Sequence, residues 1–164
     1  VPHSRFNDIS RETLEHAGLT VLADSAEGGV HMAVSRDQFR AIFFQGHPEY
    51  DTNSLLKEYK RELYRYLDGE LKHPPLFPRH YFPGHARQLV QQYIDQAGQA
   101  LRNGEPLPEF PESEFGPDLD NTWGDTAKAI VNNWLGLVYQ LTNLDRKKQY
   151  MEGVDPADPL QMKG

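Results

Sequence analysis

Residues 39–51 read FRAIFFQGHPEYD, and this stretch decides how the rest of the chain is interpreted. The nearly continuous apolar run at 39–45 predicts a strand that is buried on both faces. Gly46 ends that strand, GHPEYD forms a turn, and apolar residues at helical spacing predict a helix from about Asn53 to Leu67. Ligands and catalytic groups collect at strand ends in open α/β sheets. The polar residues of this turn are therefore the first candidates for a functional site.

The sequence on either side of this stretch predicts few strands and several helices. Two runs with alternating apolar residues suit an antiparallel pair of strands, and a short helix capped by Ser10 precedes them. The two strands are predicted at Thr20–Ala23 and Val30–Val34, and two further helices at Ala86–Arg102 and Asp125–Leu141. The proline- and glutamate-rich segment at 105–117 is expected to be a solvated surface excursion. Because three strands cannot easily cover these apolar helices, we expect the C-terminal part of an α/β sheet whose earlier strands lie outside this chain.

The composition excludes several classes of function. A chain of 164 residues that is 38% hydrophobic predicts about one domain with a packed core. With 24 acidic and 17 basic residues the net charge is −7, which argues against non-specific nucleic-acid binding. No apolar run approaches the roughly 20 residues of a membrane span, and VPHSRFND does not begin like a signal peptide, so we expect a cytoplasmic protein. The chain has no cysteine, which excludes disulfides, thiolate metal sites and a cysteine nucleophile on it.

His47 and Glu49 are the strongest candidates for chemistry. They lie two residues apart on a turn that Pro48 stiffens, so the carboxylate can hold the imidazole tautomer while the other ring nitrogen acts as a base. An ordinary turn with a solvated glutamate fits the same spacing and stays open as an alternative. A metal site at His47, Glu49 and Asp51 is a third interpretation, but the zinc deaminase signature also needs a Cys-x-x-Cys motif. We therefore expect no metal. The histidines of the proline-rich loop lack ligand spacing and are expected on the surface: His73, His80 and His85.

Several ordered pieces of the sequence resemble the homoserine O-acyltransferases, the succinyl- and acetyltransferases of methionine biosynthesis. The most specific piece is GHPEYD in combination with PHSR near the start and NWL…VYQ near the end. The order and spacing of Ser4, His47 and Arg61 also fit the family. The matching pieces are PHSRF at 2–6, GHPEYD at 46–51, YFP at 81–83 and NNWLGLVYQLT at 132–142.

This resemblance implies acyl transfer through a Cys-His-Glu triad. An acyl group would pass from acyl-CoA to a cysteine thiolate and then to the side-chain hydroxyl of L-homoserine. His47 would be the general base and Glu49 its orienting carboxylate. Arg61 would bind the substrate carboxylate, and Ser4 would contact the substrate. From its position alone, Arg61 is expected to be an exposed helix residue paired with Glu58 or Glu62.

The family's fold implies that the chain is the C-terminal half of a class I glutamine amidotransferase-like, flavodoxin-like, three-layer α/β sandwich with an added helical insertion. Residues 1–83 would carry the histidine and glutamate of the triad. Residues 84–121 would be the helical and Pro/Glu-rich insertion, and 122–164 the terminal amphipathic helix and a loose tail. The implied partners are succinyl-CoA or acetyl-CoA, L-homoserine and the N-terminal half of the same protein, which carries the nucleophilic cysteine; a homodimer is left open. Acyl-CoA is a co-substrate, and no cofactor, nucleic acid or membrane is implied.

Two other functions compete with this one. A glutamine amidotransferase-like hydrolase shares the Cys-His-Glu site but attacks an amide, and a carboxylate clamp formed by Arg61 and Ser4 would distinguish the acyltransferase from it. A non-catalytic interaction module would use the apolar last helix and the proline-rich segments as its docking surface. The sequence does not separate a succinyl from an acetyl donor, or homoserine from serine as the acceptor.

Overall fold

The computed structural model describes residues 1–115 and 118–161, so that parts of the predicted insertion and tail, at 116–117 and 162–164, lie outside the described residues. The described chain is mixed α/β, with helices and a small antiparallel sheet. Its elements are α1 (Arg11–His16), β1 (Thr20–Ser25), β2 (Gly29–Val34), β3 (Ile42–Phe44), α2 (Ser54–Leu67), α3 (Ala86–Asn103), α4 (Glu112–Phe115) and α5 (Gly124–Leu141). The chain divides into two compact units, Val1–Glu49 with Thr122–Gly164, and Tyr50–Asn121.

The first unit is built around the predicted antiparallel hairpin. β1 and β2 pair antiparallel, and β2 also pairs with β3, so that the order is β1-β2-β3. The hydroxyl of Ser10 accepts a hydrogen bond from the Thr13 backbone N–H and caps α1, as predicted. This cap directs Leu14 into a small core with Val30 and Ala33 of β2. The helix and the hairpin are thus held together by apolar contacts.

β3 differs from its prediction. It has three residues, pairs with β2 on one side, and leaves Phe43 46% exposed, so the expectation of a strand buried on both faces is wrong for the described residues. An apolar run indicates only that its side chains favour burial. It does not indicate whether the strand pairs with one neighbouring strand or with two. The turn that follows β3 lies at its predicted place, since β3 ends at Phe44 and the chain turns at Pro48 and Glu49.

α5 belongs to this unit and contacts the rest of it through only part of its surface. The indole Nε1 of Trp134 donates to the backbone carbonyl of Phe39 at 2.5 Å. The segment after α5 returns to the same place, where Tyr150 packs its ring on Phe39 with centroids 6.0 Å apart. The apolar positions of α5 predicted to face a core are less covered than expected, since Leu135 remains 52% exposed. None of the described helices combines the length and the apolar character that crossing a bilayer requires.

The second unit has its own apolar core, formed by α2, α3 and the segment that follows α3. Leu56 and Leu63 of α2 are 1% and 0% exposed. The segment at 105–117 contributes Phe110 and Phe115, which stack with centroids 5.5 Å apart and are almost fully buried. The expectation of a solvated excursion is therefore wrong for these two aromatic residues, because burying large apolar rings outweighs the polar character of the residues around them.

Candidate active site

His47 lies just beyond β3, where a set of hydrogen bonds fixes the path of the chain. Gln45 N donates to the carbonyl of His31 at 2.9 Å and so continues the β2–β3 pairing. Two residues later His47 N donates to the carbonyl of Pro2 at 2.8 Å. The amide of the Gln45 side chain also donates to the Ile9 carbonyl and accepts from the Ile9 N–H, both at 2.8 Å. Residues 2–9 are thereby tied to the strand end that carries His47.

Glu49 orients the imidazole of His47. Its Oε1 lies 2.9 Å from His47 Nδ1, which is the contact expected from the spacing. Because a carboxylate only accepts, Nδ1 carries the proton and donates it. Slight burial acts to raise the pKa of Glu49, but the hydrogen bond and the positive charge of His47 outweigh it, and the pKa lies below its ordinary value. Glu49 is therefore ionised at neutral pH and stabilises a protonated His47.

The second ring nitrogen of His47 faces a backbone carbonyl. Nε2 lies 3.2 Å from the carbonyl oxygen of Ser4. Both nitrogens are thus opposite acceptors, an arrangement that only the doubly protonated imidazolium satisfies. A neutral ring keeps its proton on Nδ1, opposite Glu49, and its Nε2 lone pair then faces the Ser4 carbonyl oxygen, a contact that a proton donor would have to replace. The geometry suits a group that gains and loses a proton at Nε2 while Nδ1 stays fixed.

The other predicted residues are placed as follows. Ser4 is exposed, and its main-chain oxygen contacts His47. Arg61 lies on α2 in the second unit with its side chain 62% exposed, and its Nε pairs with Glu62 Oε1 at 3.1 Å. Its Nη2 is 3.9 Å from Glu58 Oε1. Across residues 1–115 and 118–161, no three histidine, aspartate or glutamate side chains are grouped so that they could hold a metal ion.

Sequence reasoning missed two histidines beside this turn. The rings of His3 and His31 lie with their centroids 5.4 Å apart, and both border Gly46. Burial, together with the neighbouring Arg5, lowers the pKa of His3 to about 4. Burial also lowers the pKa of His31. The sequence could have pointed to His3, because it belongs to the PHSR motif. For His31 the only signal is that a polar ring occurs in a strand of mostly apolar residues.

Comparison with known proteins decides the family. The family model for homoserine O-succinyltransferase matches residues 1–144. The chain belongs to that family. A homoserine O-succinyltransferase of Thiothrix nivea is 56% identical over 163 residues, and that of Methylococcus capsulatus is 55% identical over 160 residues. A third relative with the same name, from Nitrosococcus oceani, is 53% identical.

These relatives are longer than the chain. The alignments cover 99%, 98% and 99% of this chain but 45%, 45% and 46% of the proteins from Thiothrix nivea, Methylococcus capsulatus and Nitrosococcus oceani. The chain thus spans less than half the length of the homoserine O-succinyltransferases it matches. This proportion agrees with the expectation that the chain corresponds to one half of an acyltransferase.

Proposed function

We propose that this chain supplies the histidine base of a homoserine O-succinyltransferase whose nucleophilic cysteine lies on an N-terminal half. The single observation that carries the proposal is the His47–Glu49 pair, with Nδ1 and Oε1 2.9 Å apart and Nε2 opposite a carbonyl oxygen, in a chain of this family. The names of the relatives favour a succinyl over an acetyl donor. The reaction needs succinyl-CoA as a co-substrate and no cofactor.

In the first half-reaction, His47 takes the proton of the cysteine thiol at Nε2. The resulting thiolate attacks the thioester carbonyl of succinyl-CoA, a new carbon–sulfur bond forms, and the bond to CoA breaks. The proton on Nε2 then passes to the leaving CoA thiolate. Glu49 keeps its hydrogen bond to Nδ1 throughout and stabilises the imidazolium that forms between these two proton transfers.

In the second half-reaction, His47 takes the proton of the homoserine hydroxyl. The hydroxyl oxygen attacks the succinyl-cysteine carbonyl, an ester bond forms, and the cysteine thiolate leaves and regains its proton from Nε2. Arg61 is proposed to bind the carboxylate of homoserine, which a planar guanidinium can do with two parallel hydrogen bonds. Ser4 is proposed to contact the substrate.

The proposed function also specifies the rest of the fold. We expect the N-terminal half to supply the remaining strands of a class I glutamine amidotransferase-like sandwich, together with the cysteine. The complete enzyme is expected in the cytoplasm, where acyl-CoA is made and consumed.

Mass spectrometry of the full-length protein after mixing with succinyl-CoA tests the proposal. Without homoserine, we expect one succinyl adduct on a cysteine and one equivalent of released CoA; adding homoserine should remove the adduct. His47→Ala should slow both steps by about 10²–10⁴-fold, the usual contribution of general-base catalysis to a step. Glu49→Gln should slow both by a smaller factor, because it removes the charge while keeping an acceptor for Nδ1–H. A protein that turns over without an adduct would disprove the thioester route.

A further inference from the structure

Two imidazole rings, those of His3 and His31, occupy the space that a side chain on residue 46 would need. A methyl group on residue 46 would lie 2.7 Å from His31 Nδ1 and 2.8 Å from His3 Nε2. Real side chains do not approach this closely, so one of the rings would have to move. The backbone of Gly46 is outside the left-handed region, and an alanine could adopt it without strain. The two rings are therefore the obstacle to a side chain at residue 46.

His3 is held in one neutral form. Arg5 Nη1 donates to Nδ1 of His3, so that nitrogen is unprotonated and the proton is on Nε2, which faces Gly46. Arg5 is itself fixed, since its Nη2 donates to the Gly28 carbonyl at 2.6 Å and pairs with Asp8 at 2.8 Å. Rotation of the His3 ring away from this position would break its hydrogen bond with Arg5.

The ring of His31 fills space beside His3. Both of its ring nitrogens are buried and without a hydrogen-bond partner among the residues that the structure describes. The ring lies between His3 and Phe44, with centroids 5.4 and 5.6 Å away. His31 lies on β2 at the irregularity in the β1–β2 register, and its backbone carbonyl accepts a hydrogen bond from Gln45 N at 2.9 Å.

His3 also lies between the two residues whose carbonyls contact His47. The Pro2 carbonyl accepts from the His47 backbone N–H at 2.8 Å, and the Ser4 carbonyl faces Nε2 at 3.2 Å. The His3 backbone therefore belongs to the short segment whose carbonyls contact both the backbone N–H and the Nε2 nitrogen of His47.

We propose that His3 and His31 are positioning residues: their two rings, tilted against each other, fix the position of the Gly46 backbone and, through it, the position of His47. This proposal rests on the proposed function, since it assigns the pair to the histidine that moves the proton. It requires residue 46 to be glycine for one reason, namely that the two rings occupy the space of its side chain.

A mutant cycle in the full-length protein tests the proposal. Gly46→Ala should lower the rate of cysteine acylation by about 100-fold, because a displacement of about 1 Å at a reacting group costs that much. In the His3→Ala/His31→Ala background the same substitution should change the rate by less than about threefold, since the space is then free. Gly84→Ala is the matched control; a methyl group there meets nothing within 4 Å, and the substitution should leave the rate unchanged. An equal loss from Gly46→Ala in both backgrounds would overturn the proposal.

Two further measurements keep the test decisive. Histidine-selective ¹⁵N NMR should show the ring signals of His47 shifted by Gly46→Ala and returned to their places when His3 and His31 are also alanine. If Gly46→Ala does not fold, His3→Asn replaces it; this variant should lower kcat about tenfold with KM for succinyl-CoA unchanged, and a change in KM alone would contradict a positioning role. A wild-type protein that forms no acyl adduct would disprove the proposed function, and the NMR signals would still decide whether residues 46, 3 and 31 are coupled to His47.

Discussion

At the scale of single residues, Arg61 separates the two half-reactions of the proposed enzyme. Its guanidinium is largely exposed and paired with Glu62 and Glu58, so binding a substrate carboxylate requires it to exchange these surface partners. Exposed ion pairs of this kind contribute little free energy, so Arg61 can exchange them for a substrate carboxylate at small cost. Losing a charged contact to a substrate costs on the order of 2–4 kcal/mol, or about 30- to 1,000-fold in rate.

We therefore predict that Arg61→Ala is acylated by succinyl-CoA at the normal rate but transfers the succinyl group to homoserine about 30- to 1,000-fold more slowly. Rapid-mixing measurements of CoA release, with and without homoserine, separate the two steps. Arg65→Ala is the matched control, because Arg65 lies one turn further along α2 and also pairs with Glu62. Failure of Arg61→Ala to form the adduct would show that Arg61 serves the acyl donor or the fold instead.

A second prediction at this scale concerns acid stability. The pKa of His3 is about 4 in the folded chain and near 6.5 in the unfolded chain, so between these values the unfolded state binds more protons. The free energy of unfolding should therefore decrease as the pH falls from about 6.5 towards 4, and the lowered pKa of His31 acts in the same direction.

Urea unfolding at a series of pH values between about 7 and 4.5 tests this prediction, since this range spans the titration of the unfolded chain. His3→Gln removes the titrating group while keeping a neutral acceptor for Arg5, and it should flatten the dependence of stability on pH in this range. His73→Gln, which replaces an exposed histidine of the second unit, is the control and should leave the slope as it is in the wild type. An unchanged slope in His3→Gln would mean that other groups cause the acid sensitivity.

At the scale of the elements, α4 anchors the segment after α3 through one aromatic residue. Phe115 is fully buried and stacks on Phe110 beside Phe82. Phe115→Ala should lower the free energy of unfolding by about 3–5 kcal/mol, the usual cost of emptying such a site. Leu76→Ala, at a residue that is 94% exposed, should change it by less than about 0.5 kcal/mol. Chemical unfolding of both variants decides between a buried and a solvated segment, because similar midpoints would favour the solvated one.

At this scale, the elements that the sequence predicts correctly are those determined by residues close together in the chain. The cap at Ser10, the β1–β2 hairpin and α2 are specified by residues within a few positions, and they form where predicted. The burial of Phe110 and the single-sided pairing of β3 depend on what packs against them, which no local pattern contains. The same distinction holds for the site. His47 and Glu49 are two residues apart and could be found together, but His3 and His31 meet only after the chain has folded.

At the scale of the whole molecule, the proposed activity requires a residue that this chain does not contain. A thioester needs a thiol, and these 164 residues contain no cysteine. They also leave large apolar side chains at the surface of the first unit, among them Phe43 at 46% and Leu135 at 52% exposure. Surfaces of this kind commonly mark contacts with further protein.

We predict that the chain by itself forms no succinyl adduct and that co-expression with the remaining part of the relatives' length restores succinyl transfer to homoserine. The reason is chemical: the base on this chain has no nucleophile to deprotonate until a cysteine is brought to Nε2 of His47. Activity of the co-purified halves, measured as CoA release that depends on homoserine, is the readout. A His47→Ala chain co-expressed in the same way is the control; it should assemble to the same extent yet remain inactive, which separates loss of the base from loss of the contact between the halves. Homoserine-dependent CoA release by this chain alone would contradict the assignment of the nucleophile to the other half, since the reaction would then proceed without a cysteine.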